Sequence, residues 1–476
     1  MKKIQNIIPL FALIIFIGCD DSVINDSVDF LEVQNPNLNI ESILGSENSA
    51  SLWAEGLDRQ VSIAYNEVVE LAELGSDNYV NTQTFYSQLF DGLDIRTVDV
   101  AIRGFERVIG VIRSSSRIGL ESVGPADPNY TSTTEAEFNY YLGISHLLSG
   151  MYFSTHPNGA GTAPISSEEH LGLAITSFTN AVNLNAMPEY HLAAARANYL
   201  LGNREEAISS SNAALALSTD FLRVARYDNA NGPTNTFEAA IFGRGNFDDL
   251  QPLPTLDFLD PKYSFLSADV DASINYLKAE EAYLILAEAN LANDNLSAAQ
   301  ENLRDLLDLI ATREVRTFSD TVEDRSQIDP GGRPDNENVV VNGRANLVLD
   351  RQAGNVSVPS VSGTSLTNAD IDNMMDDDDA LELLYRTRQE VFIAEGLRFV
   401  DMGVKMVITE SEFLQNDNIN EGDPGTIAVI PPFIASVATE LDAFTYDAEA
   451  GTATTAINLN EILVENKNSD FVLPFE

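Results

Sequence analysis

The sequence predicts a mostly α-helical chain, with helical pairs stacked as a solenoid and long loop-rich insertions between them. Three observations carry this expectation. Apolar residues recur at three- and four-residue intervals in several stretches long enough for helices. A set of alanines repeats with a period of 33 residues through the middle of the chain. Proline and glycine gather in the long segments between the helical stretches, where turns are needed. At 476 residues and 44% hydrophobic, the chain is long and apolar enough to bury a large core.

In chain order, the first stretch reads MKKIQNIIPLFALIIFIGCDDSV. Lys2 and Lys3 precede an apolar run over 7–18. That run is shorter than the roughly 20 residues of a membrane span and has the pattern of a secretory signal. Gly18 directly before Cys19 resembles the bacterial lipobox, whose thiol takes a diacylglycerol and whose chain is cut before it; Phe16 stands where that pattern usually has leucine. Residues 1–18 are expected to be a lipoprotein signal peptide, Cys19 the lipid attachment point, and 19–40, mostly polar, a flexible tether. Cys19 is the chain's one cysteine, so disulfides, thiolate metal sites and thiol nucleophiles are excluded from the body. With 73 acidic against 27 basic residues and a net charge of −46, the chain repels polyphosphate, and no nucleic-acid partner is expected.

The folded part is expected over 41–476. Ala54, Leu57, Val61, Ala64, Tyr65, Val68, Leu71 and Ala72 form the buried stripe of a first helix, and a second fits 98–112. A third, over 136–151, pairs with the next helix across a loop at 154–169. In HLGLAITSFTNAVNLNA (170–186) and NREEAISSSNAALALS (203–218), Ala174 aligns with Ala207 and Ala181 with Ala214. EYHLAAARANYLLGN puts Ala195 twelve residues before Ala207, and the stretch 278–310 puts Ala287 and Ala299 at the same separation. This spacing resembles the tetratricopeptide repeat, whose small residues let paired helices approach closely, and it covers about 134–310. Such repeats are scaffolds and name no site.

The remaining stretches are loop-rich. Pro233, Pro252, Pro254 and Pro261 break up 228–264. Residues 311–370 form a polar insertion with turns at DPGGRPDNEN and SVPSVSGTS, framing a short hairpin at 338–349. One continuous late helix is expected over 380–406, followed by an irregular C-terminal region, 407–476.

Three segments carry a resemblance to a known family. They are ELAELGSDNYV (70–80), the EEAYLILAEA core of the last repeat, and R-x-R-x-E-x-x-x-x-E-G-x-R-F-x-D. The last stands here as Arg386, Arg388, Glu390, Glu395-Gly396, Arg398-Phe399 and Asp401. Together with the lipobox, the order of parts resembles the SusD/RagB outer-membrane lipoproteins. The resemblance implies a lipid-anchored protein facing the cell exterior. It would capture an oligosaccharide or peptide and deliver it to a SusC-like TonB-dependent β-barrel; Asp20 and Asp21 resemble the family's export signal. A protein-interaction scaffold lipoprotein of tetratricopeptide type is the alternative.

No catalytic residue, metal ligand or cofactor is expected. His146, His156, His170 and His191 form no H-E-x-x-H, and there is no G-x-S-x-G or P-loop pattern. The run 376–379 (DDDD) lacks the alternation of a calcium loop and reads better as charge at a helix start. Arg388, Glu390, Glu395, Arg398 and Asp401 are expected to form a buried ion-pair latch. Glu395 would meet Arg398, and Arg398 would meet Asp401, across helical three-residue steps. Ligand platforms of the implied kind are aromatic, and Trp53, Tyr79, Phe85 and Tyr86 are the candidates, each also suited to a core position. Where the family often has Ala-Asn on the second helix, this chain has Phe105-Glu106, which leaves the ligand open between glycan and peptide.

Overall fold

The computed structural model describes residues 44, 46–81, 88–241, 250–260, 262, 270–319, 333, 334, 336–350, 354–375, 378–472 and 475. Cys19, the expected signal peptide and tether, Phe85 and Tyr86 lie outside the described residues.

Helix α1 (Ser49–Leu74) buries Leu57, Val61, Ala64, Val68, Leu71 and Ala72 on one stripe. Its first turn is capped from a distance: the Asp127 carboxylate accepts from the Ala50 and Asn48 amides at 2.9 and 3.2 Å. Helix α2 (Val100–Ile118) begins at Asp99, whose Oδ1 accepts from Ala101 N and Ile102 N at 2.8 and 3.1 Å. These bonds satisfy two of the amides that any helix start leaves open. After α3 (Ser132–Tyr152), the connection to α4 (Ser167–Leu184) is a small antiparallel hairpin of β2 (Thr155–Pro157) and β3 (Pro164–Ser166). Ser166 and Glu169 close α4 with a reciprocal capping box. Gly143 lets α3 approach α4, because a Cβ there would sit 2.5 Å from the Phe178 ring.

Helices α5 (Pro188–Leu200), α6 (Arg204–Leu217), α7 (Ala279–Leu291) and α8 (Leu296–Thr312) complete the solenoid. Each helix from α1 to α7 packs on its successor. The repeated alanines Ala174, Ala181, Ala195, Ala207, Ala214, Ala287 and Ala299 are all fully buried. Strand β4 (Leu222–Ala225) crosses to β6 (Ile274–Lys278), and β1 (Tyr79–Asn81) pairs with β5 (Leu250–Pro252), both antiparallel. Three later elements lie against this frame. Helix α9 (Asp378–Phe392) packs on α7 and on α11 (Leu459–Glu465), while α10 (Leu397–Asp401) packs on α1. No described helix is long and apolar enough to cross a membrane.

Three expectations are corrected. The late helix is not continuous over 380–406: it stops at Phe392, turns through Ala394 (φ 64°) and Gly396 (φ 79°), and restarts as α10. The stretch 338–349 is no hairpin. Asn342 and Gly343 turn the chain back for one bridge, Val341 to Arg344, and β8 (Val340–Val341) pairs in parallel with β11 (Thr452–Thr455) instead. Pairing within the insertion runs between β7 (Val315–Ser319) and β9 (Asn355–Pro359). The C-terminal region is also more regular than expected, since β10 (Phe444–Asp447) forms a hairpin with β11 ahead of α11.

Candidate functional site

Two charged segments more than 300 residues apart in the chain meet in the interior. Arg398 grips Asp77 with both ends of its guanidinium, Nε to Oδ1 at 2.6 Å and Nη2 to Oδ2 at 2.8 Å, and its third nitrogen donates to Asn460 Oδ1 at 2.9 Å. Gln389 donates to Asp77 and Asn78, both at 3.0 Å, and Asn78 donates to Glu73 at 2.7 Å. The left-handed turn at the end of α9 aims the amides of Glu395 and Gly396 at Glu73 Oε1, at 3.1 and 2.7 Å. Gly396 is required there, because positive φ strains any residue with a Cβ. The expected Glu395–Arg398 and Arg398–Asp401 pairs are therefore replaced. The turn breaks the helical spacing, and each charge finds a partner on another element.

Glu395 lies between two buried lysines, with Lys262 Nζ and Lys278 Nζ each 2.5 Å from Oε1. Arg388 Nε donates to Asp401 Oδ2 at 2.8 Å, and its guanidinium sits over the Tyr199 and Phe392 rings. Glu390 accepts from Thr364, Ser365 and Arg344. Burial pushes Glu73 up to about 7 and Lys262 down to about 7. A fixed charge in this interior is tolerated only because it is paired and hydrogen-bonded. The network ties α1, α9, α10 and α11 together.

The aromatic candidates are not brought together. Trp53 is half-buried on α1 and spends its indole N–H on the Ser115 carbonyl of α2 at 2.8 Å, holding those helices together. Tyr79 is fully buried, edge-on to Phe237, and offers no face to a ligand. Described residues line at least two cavities. One, of about 480 Å³, runs between Tyr199, Tyr385, Lys405 and the segment 468–472. The other, of about 240 Å³, lies between α9 and α11.

Neither a protein-family model nor a curated protein matches the sequence. Solved structures do match. A SusD superfamily protein from Bacteroides fragilis is 12% identical with a TM-score of 0.51, covering 79% of this chain and 100% of its own. A SusD-like carbohydrate binding protein from Bacteroides fragilis NCTC 9343 is 11% identical with a TM-score of 0.50, covering 89% and 99%. A SusD superfamily protein from Bacteroides thetaiotaomicron VPI-5482 is likewise 11% identical with a TM-score of 0.50, covering 85% and 98%. The chain has the SusD-like fold.

Within this SusD-like fold, the stretch Phe105-Glu106 leads to a polar cluster that sequence reading missed. Glu106 is buried and accepts from Thr409 N at 3.2 Å, and its other oxygen lies 3.8 Å from His156 Nε2. His156 Nδ1 is 3.1 Å from Ser149 Oγ, and its carbonyl lies 2.8 Å from His170 Nε2. His146 and His170 face each other through Nδ1 atoms 2.9 Å apart, and the Arg113 guanidinium donates to Ser149 Oγ. Burial first, then Arg113, lowers all three histidines, His170 to about 4 and His146 to about 2, so they are neutral. Burial raises Glu106 to about 8. The serine–histidine–carboxylate order is not a poised nucleophile. Ser149 gives its proton to the Ser145 carbonyl at 2.9 Å, and none of the three residues lines either cavity. The one sequence signal was the departure at Phe105-Glu106, since the histidines are scattered in sequence.

Proposed function

We propose that this chain is a nutrient-binding lipoprotein of the SusD/RagB kind. It captures an oligomeric substrate at the cell surface and delivers it to a SusC-like TonB-dependent β-barrel, and it catalyses no reaction. The likeness to SusD-like structures over 79 to 89% of this chain carries this reading, and the carbohydrate-binding protein among them favours an oligosaccharide over a peptide. A fold hosts many functions, so the reading must be tested at the level of binding. In this reading Cys19 carries the lipid and 19–40 is the tether. About 20 residues of flexible chain reach a few tens of ångströms, enough for a hinged lid over a barrel.

The test is affinity capture of the full chain from its own membranes, paired with an oligosaccharide binding screen. The expected result is co-purification of a TonB-dependent barrel and binding of at least one oligosaccharide class. A chain that captures only periplasmic proteins and binds no oligosaccharide or peptide would refute it. Cys19→Ser should shift the protein from the membrane to the soluble fraction.

A further inference from the structure

We propose that the larger cavity, where α4, α5 and α9 meet the C-terminal segment 468–472, holds a neutral hydroxyl-bearing ring, one sugar unit of the captured oligosaccharide. Distant parts of the chain converge to build it. Ser167 and Glu168 open α4, Tyr199 and Leu200 close α5, Tyr385 comes from α9, and Asp401 and Lys405 come from the end of α10 and the loop after it. Its volume of about 480 Å³ falls within the about 300–1,000 Å³ typical of small-molecule sites.

Three groups in this lining keep hydrogen-bonding capacity that the protein does not use. Tyr385 is only 4% exposed, yet its hydroxyl meets no partner among the described residues and is not sealed from the cavity. The Asp401 side chain, 9% exposed, gives Oδ2 to Arg388 at 2.8 Å and leaves Oδ1 without a donor. Lys405 Nζ donates to the Gly150 and Met151 carbonyls, both at 2.8 Å, and keeps one of its three N–H groups. The set is therefore one acceptor, one donor and one hydroxyl that can act as either. The charges in the interior of the cavity already have counterparts. Arg388 neutralises Asp401, and Glu168 shares the lining with Lys405, while Asp470 is exposed at the rim. An anion would meet the carboxylates and a cation would meet Lys405, each after losing its own hydration. A hydroxyl donates and accepts at once, so adjacent hydroxyls on a ring satisfy all three groups without adding a charge. Leu171, Val400 and Val472 give the C–H face of such a ring an apolar wall, and Phe471, 39% exposed at the edge, offers an aromatic surface to a neighbouring unit.

The assignment rests on the oligosaccharide reading above and adds where one unit is held. Calorimetric titration of the full chain with cellobiose, lactose, maltose, mannobiose and xylobiose tests it, followed by a crystal soaked with the tightest binder. At least one of these sugars is expected to bind, with a ring within hydrogen-bond distance of Tyr385 Oη and Asp401 Oδ1. Tyr385→Phe removes a hydroxyl that has no partner in the chain, so the melting profile should be unchanged. Its affinity for that sugar should fall roughly three- to tenfold, the worth of one hydrogen bond. A sugar seated elsewhere in the crystal, or equal binding by Tyr385→Phe, would overturn the assignment and leave the oligosaccharide reading standing. Binding of none of these sugars would also overturn it, while capture of a TonB-dependent barrel would still support the wider reading.

Discussion

Arg398 joins two distant parts of the chain through a buried ion pair. It is 2% exposed and neutralises Asp77, itself buried, through a bidentate contact. Removing one partner of such a pair leaves a charge stranded in low dielectric. Arg398→Met should therefore destabilise the chain by about 3–5 kcal/mol, read as a lower urea midpoint. The histidine cluster and the buried glutamates predict the pH profile with opposite signs. His146, His156 and His170 have folded pKa values below the ordinary 6.5. The unfolded chain binds their protons first, so their contribution is full above pH 6.5 and is lost as pH falls towards 4 and below. Glu73, Glu106 and Glu288 are raised by burial, to about 7, 8 and 7. Their contribution is full below the ordinary 4.5 and is lost as pH rises through 7 to 8. Thermal melts should show greatest stability between about pH 4.5 and 6.5, with a fall on each side. Glu106→Gln should flatten the alkaline fall. A melting temperature that keeps rising from pH 6.5 to 8.5 would contradict the assignment.

At the scale of elements, alanine and glycine spacing governs how closely the helices stack. The pair α3–α4 is one instance, because Gly143 leaves room for the Phe178 ring. Gly143→Ala should cost about 1–3 kcal/mol through overpacking, although alanine is the better helix former by about 1 kcal/mol. The measurement is equilibrium unfolding, and a stabilised variant would show that α3 and α4 can move apart freely. The alanine period was legible in the sequence because a solenoid contact is made by neighbours in the chain. The break between α9 and α10 was not. Its 380–406 stretch has helical periodicity throughout, and only the demand of Glu73 for two amides, from the far end of the chain, bends the backbone into positive φ.

For the whole molecule, the net charge of −46 is the dominant electrostatic fact. Self-repulsion of that size opposes the compact state and is screened by salt. The melting temperature should rise between about 0.02 and 0.5 M sodium chloride, as the Debye length falls from roughly 20 Å to about 4 Å. A salt-independent melt would mean that the acidic groups are spaced widely enough not to interact. Some of the cations do not face that acidic surface at all: Lys262, Lys278, Arg196, Arg388 and Arg398 are buried and paired with carboxylates in the interior.

The sequence by itself determined the helices of the stacked pairs, their order and the alanines buried between them. Periodicity and small residues act over one or two turns and are written locally. It also marked the charged residues near the end of the chain as belonging inside. Only the tertiary structure decided whom they meet. Arg398 and Asp77 are 321 residues apart, and Glu395 takes its lysines from a loop and a strand more than a hundred positions away. Charge carries no directional signal along a sequence, because any opposite charge satisfies it equally until the fold selects one.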